Sequence, residues 1–119
     1  MSSAFKSKPF EQRKEEALNI NAKYPTRVPI VVEHRPNCKL PTLDKKKFLV
    51  PKDLNMGQFI YIIRKRIKLQ SDRAIFVFIN NTLPSSTATM GTIYDTHKDE
   101  DGFLYVNYDG ESTFGNNNI

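Results

Sequence analysis

The sequence predicts an α+β domain: a four-stranded mixed sheet crossed by one main helix, with two helices ahead of it. Three observations lead there. Between Asp44 and Ile67 a short apolar run, Phe48-Leu49-Val50, is closed by Pro51 and gives way to a segment of helical period. Strand-like apolar runs precede and follow that segment, at 27–33, 74–79 and 103–108. The element order is therefore helices, strand, strand, helix, strand, short helix, strand.

Residues 2–9 are polar with one Phe, and Pro9 interrupts them; a short helix fits here. From Phe10 to Tyr24, Phe10, Ala17, Ile20 and Tyr24 (less strictly Arg13) share one helical face. Pro25 stops that helix. Its other face is charged, so it should lie on the domain as a lid. Arg27–Glu33 is β-branched and reads as a strand. Pro29 within it lacks a ladder donor and should face an edge or the strand's start. Residues 34–41, with Pro36, Asn37 and Pro41, form a loop. Phe48–Val50 is the second strand, and a hairpin to the first is the economical connection. In the main helix, Met56, Phe59, Ile60, Ile63 and Ile67 step by three or four. Asn55 and Gln58 ahead of it have capping-box spacing. Ala74–Ile79 is a near-continuous apolar run, which predicts a central strand. Asn80-Asn81-Thr82 is a turn. Ser86 or Thr87 is expected to cap a short helix through Met90, Ile93, Tyr94 and His97. Residues 99–102 turn into the last strand, Phe103–Tyr108. This ββαββ core is an α+β roll of the β-grasp, or ubiquitin-like, kind, with its first and last strands parallel in the centre. The boundaries are a helical extension at 1–26, the β-grasp domain at 27–110 and a polar tail at 111–119.

A chain of 119 residues suits one domain and is long enough to bury a core without staples. Its 39% hydrophobic and 26% charged content is that of a globular protein. No apolar run approaches the roughly 20 residues that cross a bilayer. The N-terminus lacks the apolar stretch of a secretory signal, and Cys38 is a single cysteine. Together these predict a reducing, cytoplasmic setting. Charge is uneven: residues 1–68 carry 16 Lys/Arg against 6 Asp/Glu, and residues 69–119 carry 2 against 7. A basic half attracts phosphates, anionic lipid or acidic peptide, and charge alone does not choose among them.

Enzymatic chemistry needs a constellation that is hard to find here. Cys38 and His34 share a proline-rich loop that would hold a dyad poorly. There is no metal-ligand spacing, no phosphate-binding glycine loop and no calcium-loop pattern at 99–101. No catalytic residue, metal or cofactor is expected. The run Ile63–Lys68 reads equally as an RNA contact or as a basic last turn that complements the helix dipole. Lys45, Lys46 and Lys47 lead the second strand. If that strand is a sheet edge, the lysines either discourage aggregation or attract an acidic peptide that adds a strand.

Several long stretches, YPTRVPIVVE, LDKKKFLVPKDLNMGQFIYIIRKRI, AIFVFINNTLPSSTATMGTIYDTHKDEDGFLYV and ESTFG, closely resemble the ubiquitin-like autophagy modifiers of the GABARAP type. The resemblance runs from about Phe10 to Gly115. It implies that a cysteine protease trims the chain after Phe114-Gly115. Activating and conjugating enzymes would then join Gly115 to phosphatidylethanolamine. It also implies binding of cargo-receptor peptides that carry an aromatic residue, two spacers and an aliphatic residue. One pocket falls to Glu16, Ile20, Pro29, Lys47, Leu49 and Phe103, for the aromatic. A second falls to Phe48, Val50, Pro51, Leu54, Phe59, Ile62 and Arg66, for the aliphatic. Arg27, Lys45, Lys46 and Lys47 would meet acidic flanks. The implied setting is cytoplasm, autophagosome membrane and, after delivery, vacuole or lysosome. Alternatives are an unconjugated β-grasp adaptor or a basic RNA-binding domain. Cys38 and the 34–41 loop receive no role.

Overall fold

The first and last strands run parallel, side by side, in the middle of one sheet. A computed structural model describes residues 4–111, so Phe114, Gly115 and residues 116–119 lie outside the described residues. The elements are a 3-10 turn at Phe5–Ser7, then α1 (Phe10–Lys23), β1 (Arg27–His34), β2 (Lys47–Pro51), α2 (Met56–Arg66), β3 (Phe76–Phe78), α3 (Met90–His97) and β4 (Leu104–Asp109). The sheet order is β2-β1-β4-β3. β1 pairs antiparallel with β2 and parallel with β4, and β3 pairs antiparallel with β4. This is the ubiquitin-like roll, with α1 added ahead of it.

Strand alternation sorts side chains between two layers. Val28, Ile30 and Val32 of β1, Phe48 and Val50 of β2, and Leu104, Val106 and Tyr108 of β4 enter the main core with Met56, Phe59 and Ile63 of α2 and Ile93 of α3. Val31 and Phe103 face the other way and meet Ala17 of α1. The helix α2 starts where a capping box closes: the Asn55 side chain accepts from Gln58 N–H at 2.8 Å, and Gln58 Oε1 accepts from Asn55 N–H at 2.9 Å.

Pro29 sits in a strand paired on both sides, yet leaves no donor missing from a ladder. Val32 N–H donates to Lys46 O on the β2 side. Pro29, three residues earlier, therefore turns its nitrogen to the β4 side, where pairing begins only at Ile30.

Two sequence expectations are corrected. The run 74–79 forms a three-residue edge strand, β3, and not a central one. Continuous apolarity reports two covered faces, not two paired edges: Val77 and Ile79 enter the core, while the Arg35 guanidinium stacks 3.7 Å from the centre of the Phe78 ring. The cap of α3 is Thr89, whose side chain accepts from Thr92 N–H, and not Ser86 or Thr87. Ser86 and Ala88 instead use their carbonyls to accept from Gly57 and Met56 N–H, both at 2.9 Å. That binds 86–88 to the start of α2 and delays the helix.

A buried polar junction docks α1. Asp101 accepts from Arg13 Nη1 at 2.5 Å, from the Tyr105 hydroxyl, and from Phe103 N–H at 2.8 Å. Burial first, then the bond to Asp101, holds the Tyr105 hydroxyl well above its ordinary pKa. Beside it, Gly102 turns with φ +94°, and a Cβ there would stand 2.8 Å from Ala17 Cβ.

Candidate functional site

β2 is a margin of the sheet, and among the described residues β1 is its one strand neighbour. In an antiparallel pair, main-chain groups alternate between facing the partner and facing away. The Val32–Lys46 bond sets the phase, and the register Ile30↔Phe48 and Val28↔Val50 carries it on. Phe48 and Val50 therefore address β1 with their backbone, while Lys47 and Leu49 address the outside. Leu49 O on that margin accepts from Arg27 Nη1 at 3.3 Å in an exposed contact.

The side chains of β2 alternate too, so one strand serves two faces. Lys47 and Leu49 lie on the α1 side. Glu16 of α1 accepts from Lys47 Nζ at 2.7 Å and from Lys8 Nζ at 3.4 Å. Partial burial pushes the Glu16 carboxyl up, but Lys47 and then Lys8 outweigh it and hold its pKa below the ordinary value. Ile20, one turn on, packs on the Ala17–Val31–Phe103 cluster. Pro29 is the register partner of Leu49. The six residues expected for an aromatic pocket are thus gathered around α1 and β2. Phe103, however, is only 1% exposed: it is clustered with Ala17 and Val31, and Phe5 lies edge-on against it with ring centroids 4.9 Å apart.

On the α2 side the seven expected residues divide by depth. Phe59 is fully buried and Phe48 and Val50 nearly so. Leu54 and Ile62 line an open groove of about 510 Å³ with Asn55, Gly57, Gln58, Tyr61, Ser86 and Thr87. Pro51 is half-buried at the strand's end. The Arg66 guanidinium and Lys45 Nζ stand 6.0 and 5.5 Å from the Phe48 ring centre, and Arg66 pairs loosely with Asp44 at 3.9 Å. Lys46 and Lys47 are exposed. Arg27 is exposed as well, yet already committed to Leu49 O. Two residues escaped sequence reasoning, Phe5 and the 59%-exposed Tyr61. The signal for Phe5 was a lone aromatic in a polar stretch; Tyr61 lies off the apolar stripe of α2.

Other candidates do little chemically. Burial pushes the Cys38 thiol up, which disfavours the thiolate. Among the described residues no three His, Cys, Asp or Glu side chains are grouped to hold a metal. Arg64 donates to Gln70 O at 2.9 Å at the end of α2, in keeping with a basic helix terminus.

Comparison with known proteins gives concordant matches. The family profile described as "Autophagy protein Atg8 ubiquitin like" matches residues 12–115. "Autophagy-related protein 8" of Mycosarcoma maydis is 57% identical over 116 residues, covering 97% of this chain and 98% of that protein. "Autophagy-related protein 8b" of Arabidopsis thaliana is 58% identical over 109 residues, covering 92% and 89%. Among solved structures, Trypanosoma brucei ATG8 superimposes with a TM-score of 0.88 at 46% identity, covering 97% of this chain and 100% of that one. Plasmodium falciparum Atg8, solved in complex with a P. falciparum Atg3 peptide, gives 0.86 at 38% identity, covering 94% and 98%.

Proposed function

Because the chain belongs to the Atg8 family of ubiquitin-like autophagy proteins, we propose that it is a modifier joined through Gly115 to phosphatidylethanolamine. On the autophagosome membrane it then holds cargo receptors and autophagy proteins by short aromatic-x-x-aliphatic motifs. The observation that carries this reading is the margin of β2, which no other strand among the described residues pairs, set between a hollow on the α1 side and a groove on the α2 side.

The spacing of the motif follows from strand geometry. In an extended peptide, residues i and i+3 point to opposite faces. A peptide that adds to β2 along Lys47–Leu49 sends its aromatic toward Glu16, Ile20, Leu49 and Phe103. Its aliphatic residue goes toward Leu54 and Ile62. Main-chain bonds supply affinity and the two hollows supply selectivity. Arg27 leaves Leu49 O to meet the acidic flank together with Lys45 and Lys46.

Conjugation uses the tail. A cysteine protease hydrolyses the Gly115–Asn116 bond, and glycine suits a narrow channel because it has no Cβ. The activating enzyme adenylates the freed carboxyl with ATP, releasing pyrophosphate; its thiol displaces AMP to form a thioester, which a thiol of the conjugating enzyme takes over by exchange. The lipid amine then displaces the thiol and forms an amide. The complex of the Plasmodium relative with an Atg3 peptide supports a conjugating enzyme as a partner. The trimmed protein is cytoplasmic, the conjugate sits on the autophagosome, and delivery ends in the vacuole or lysosome. Many tethered copies make weak motif contacts effective through avidity.

The test is Gly115→Ala in starved cells. The lipid-shifted band should vanish and residues 116–119 should persist in the intact mass. An unaltered amount of that band would discard the assignment.

A further inference from the structure

We propose that the segment Ala4–Lys8 is a strap that closes the α1-side hollow, with Phe5 as its intramolecular occupant, so that a motif peptide must displace it. This rests on the peptide-binding reading above and assigns that site a regulator within the same chain.

The seat of Phe5 matches what an incoming aromatic ring would need. It packs on the Ala17–Val31–Phe103 cluster, as Ile20 also does. Its ring centroid is 4.9 Å from that of Phe103 and 6.4 Å from that of Tyr105. Lys47 Nζ and Lys8 Nζ stand 5.3 and 5.0 Å from its centre. Three of the six expected pocket residues, Glu16, Lys47 and Phe103, are thus engaged with Phe5 or with Lys8 three residues on. A peptide aromatic and Phe5 would compete for Phe103.

The strap is held by contacts that can open. The 3-10 turn is three residues long, buries none of them and has no side-chain cap. Ala4 N–H donates to Glu33 Oε2 at 3.1 Å. Lys6 pairs with Asp99 at 3.0 Å and Lys8 with Glu16 at 3.4 Å, all four side chains being about a third exposed. Such solvent-screened pairs are individually weak. They also share partners with the expected ligand: an acidic flank would draw Lys8 and Lys47 away from Glu16, loosening the strap as it docks.

A permanent wall is the rival role for Phe5, and the two predict opposite signs. The experiment uses the full chain and a fluorescein-labelled peptide with Phe at the aromatic position, read by anisotropy. Phe5→Ala should tighten binding by about tenfold if the hollow is open only about a tenth of the time. Phe5→Trp adds the single tryptophan in a chain that has none, and its emission should shift to the red as the same peptide saturates. Equal or weaker binding by Phe5→Ala, or unchanged Phe5→Trp emission at saturation, overturns the strap and leaves the peptide site standing. No binding by either wild type or Phe5→Ala sinks both readings together.

Discussion

Phe48 of β2 meets Phe59 of α2 edge to face, with ring centroids 6.0 Å apart and planes at 89°. The ring that sequence resemblance assigns to a ligand pocket is therefore also a keystone between the outer strand and the main helix. Its neighbour Leu49 points to the other face and is half-exposed.

The two residues should separate stability from binding. Phe48→Ala leaves a cavity against Phe59 and should cost about 3–5 kcal/mol. Leu49→Ala should cost less than about 1 kcal/mol, yet weaken motif-peptide binding at least tenfold. Urea melts with peptide titrations check both. A stable Phe48→Ala variant would place its ring outside the core.

Gly102→Ala should destabilise by about 1–3 kcal/mol, through a positive φ that alanine resists and through overlap with Ala17. Adding Ala17→Gly removes the overlap and leaves the backbone strain. The double variant should therefore fall short of the sum of the single losses. Strict additivity in thermal melts would show that the two positions do not touch.

Asp101→Asn should loosen α1. It leaves the Arg13 guanidinium without its counter-charge, which destabilises the docked helix more than loss of a neutral donor does. Tyr105→Phe removes one neutral donor and should cost about 1 kcal/mol. Hydrogen exchange should speed up in α1 well before α2. Uniform protection loss across both helices would mean that the junction supports the whole domain instead.

Alkaline pH should destabilise the fold. Burial, above all, raises the Tyr108 hydroxyl to about 12, and it donates to Pro41 O at 2.6 Å. A raised folded pKa means the protonated form is favoured in the folded state. Its contribution is complete below the unfolded value near 10 and is lost as pH climbs through 12. Tyr105 acts in the same direction. Urea midpoints should fall over that range, less steeply for Tyr108→Phe than for wild type. Identical slopes would remove Tyr108 from the account.

Much of the fold was legible because its signals are local. The capping box needs only Asn55 and Gln58. The Asn80-Asn81 turn shows itself by residue type, and both residues adopt positive φ. The split of Phe48 and Val50 from Lys47 and Leu49 came from the family resemblance, and strand alternation in the structure accounts for it. The candidate site was legible largely through resemblance; its division into buried supports (Phe48, Val50, Phe59) and groove-lining residues (Leu54, Ile62) was not. Periodicity says which face a residue takes, not how deep its neighbours bury it.

By itself, then, the chain's order of residues determined the elements, their faces and the family to which they belong. Tertiary structure alone decided three things: the edge position of β3, the union of Arg13 with Asp101 across 88 residues, and the seat of Phe5 on Phe103. The physical reason is common to all three. Each depends on which distant segment covers a face or a ring, and a contact between remote residues leaves no periodic trace in either one's neighbours.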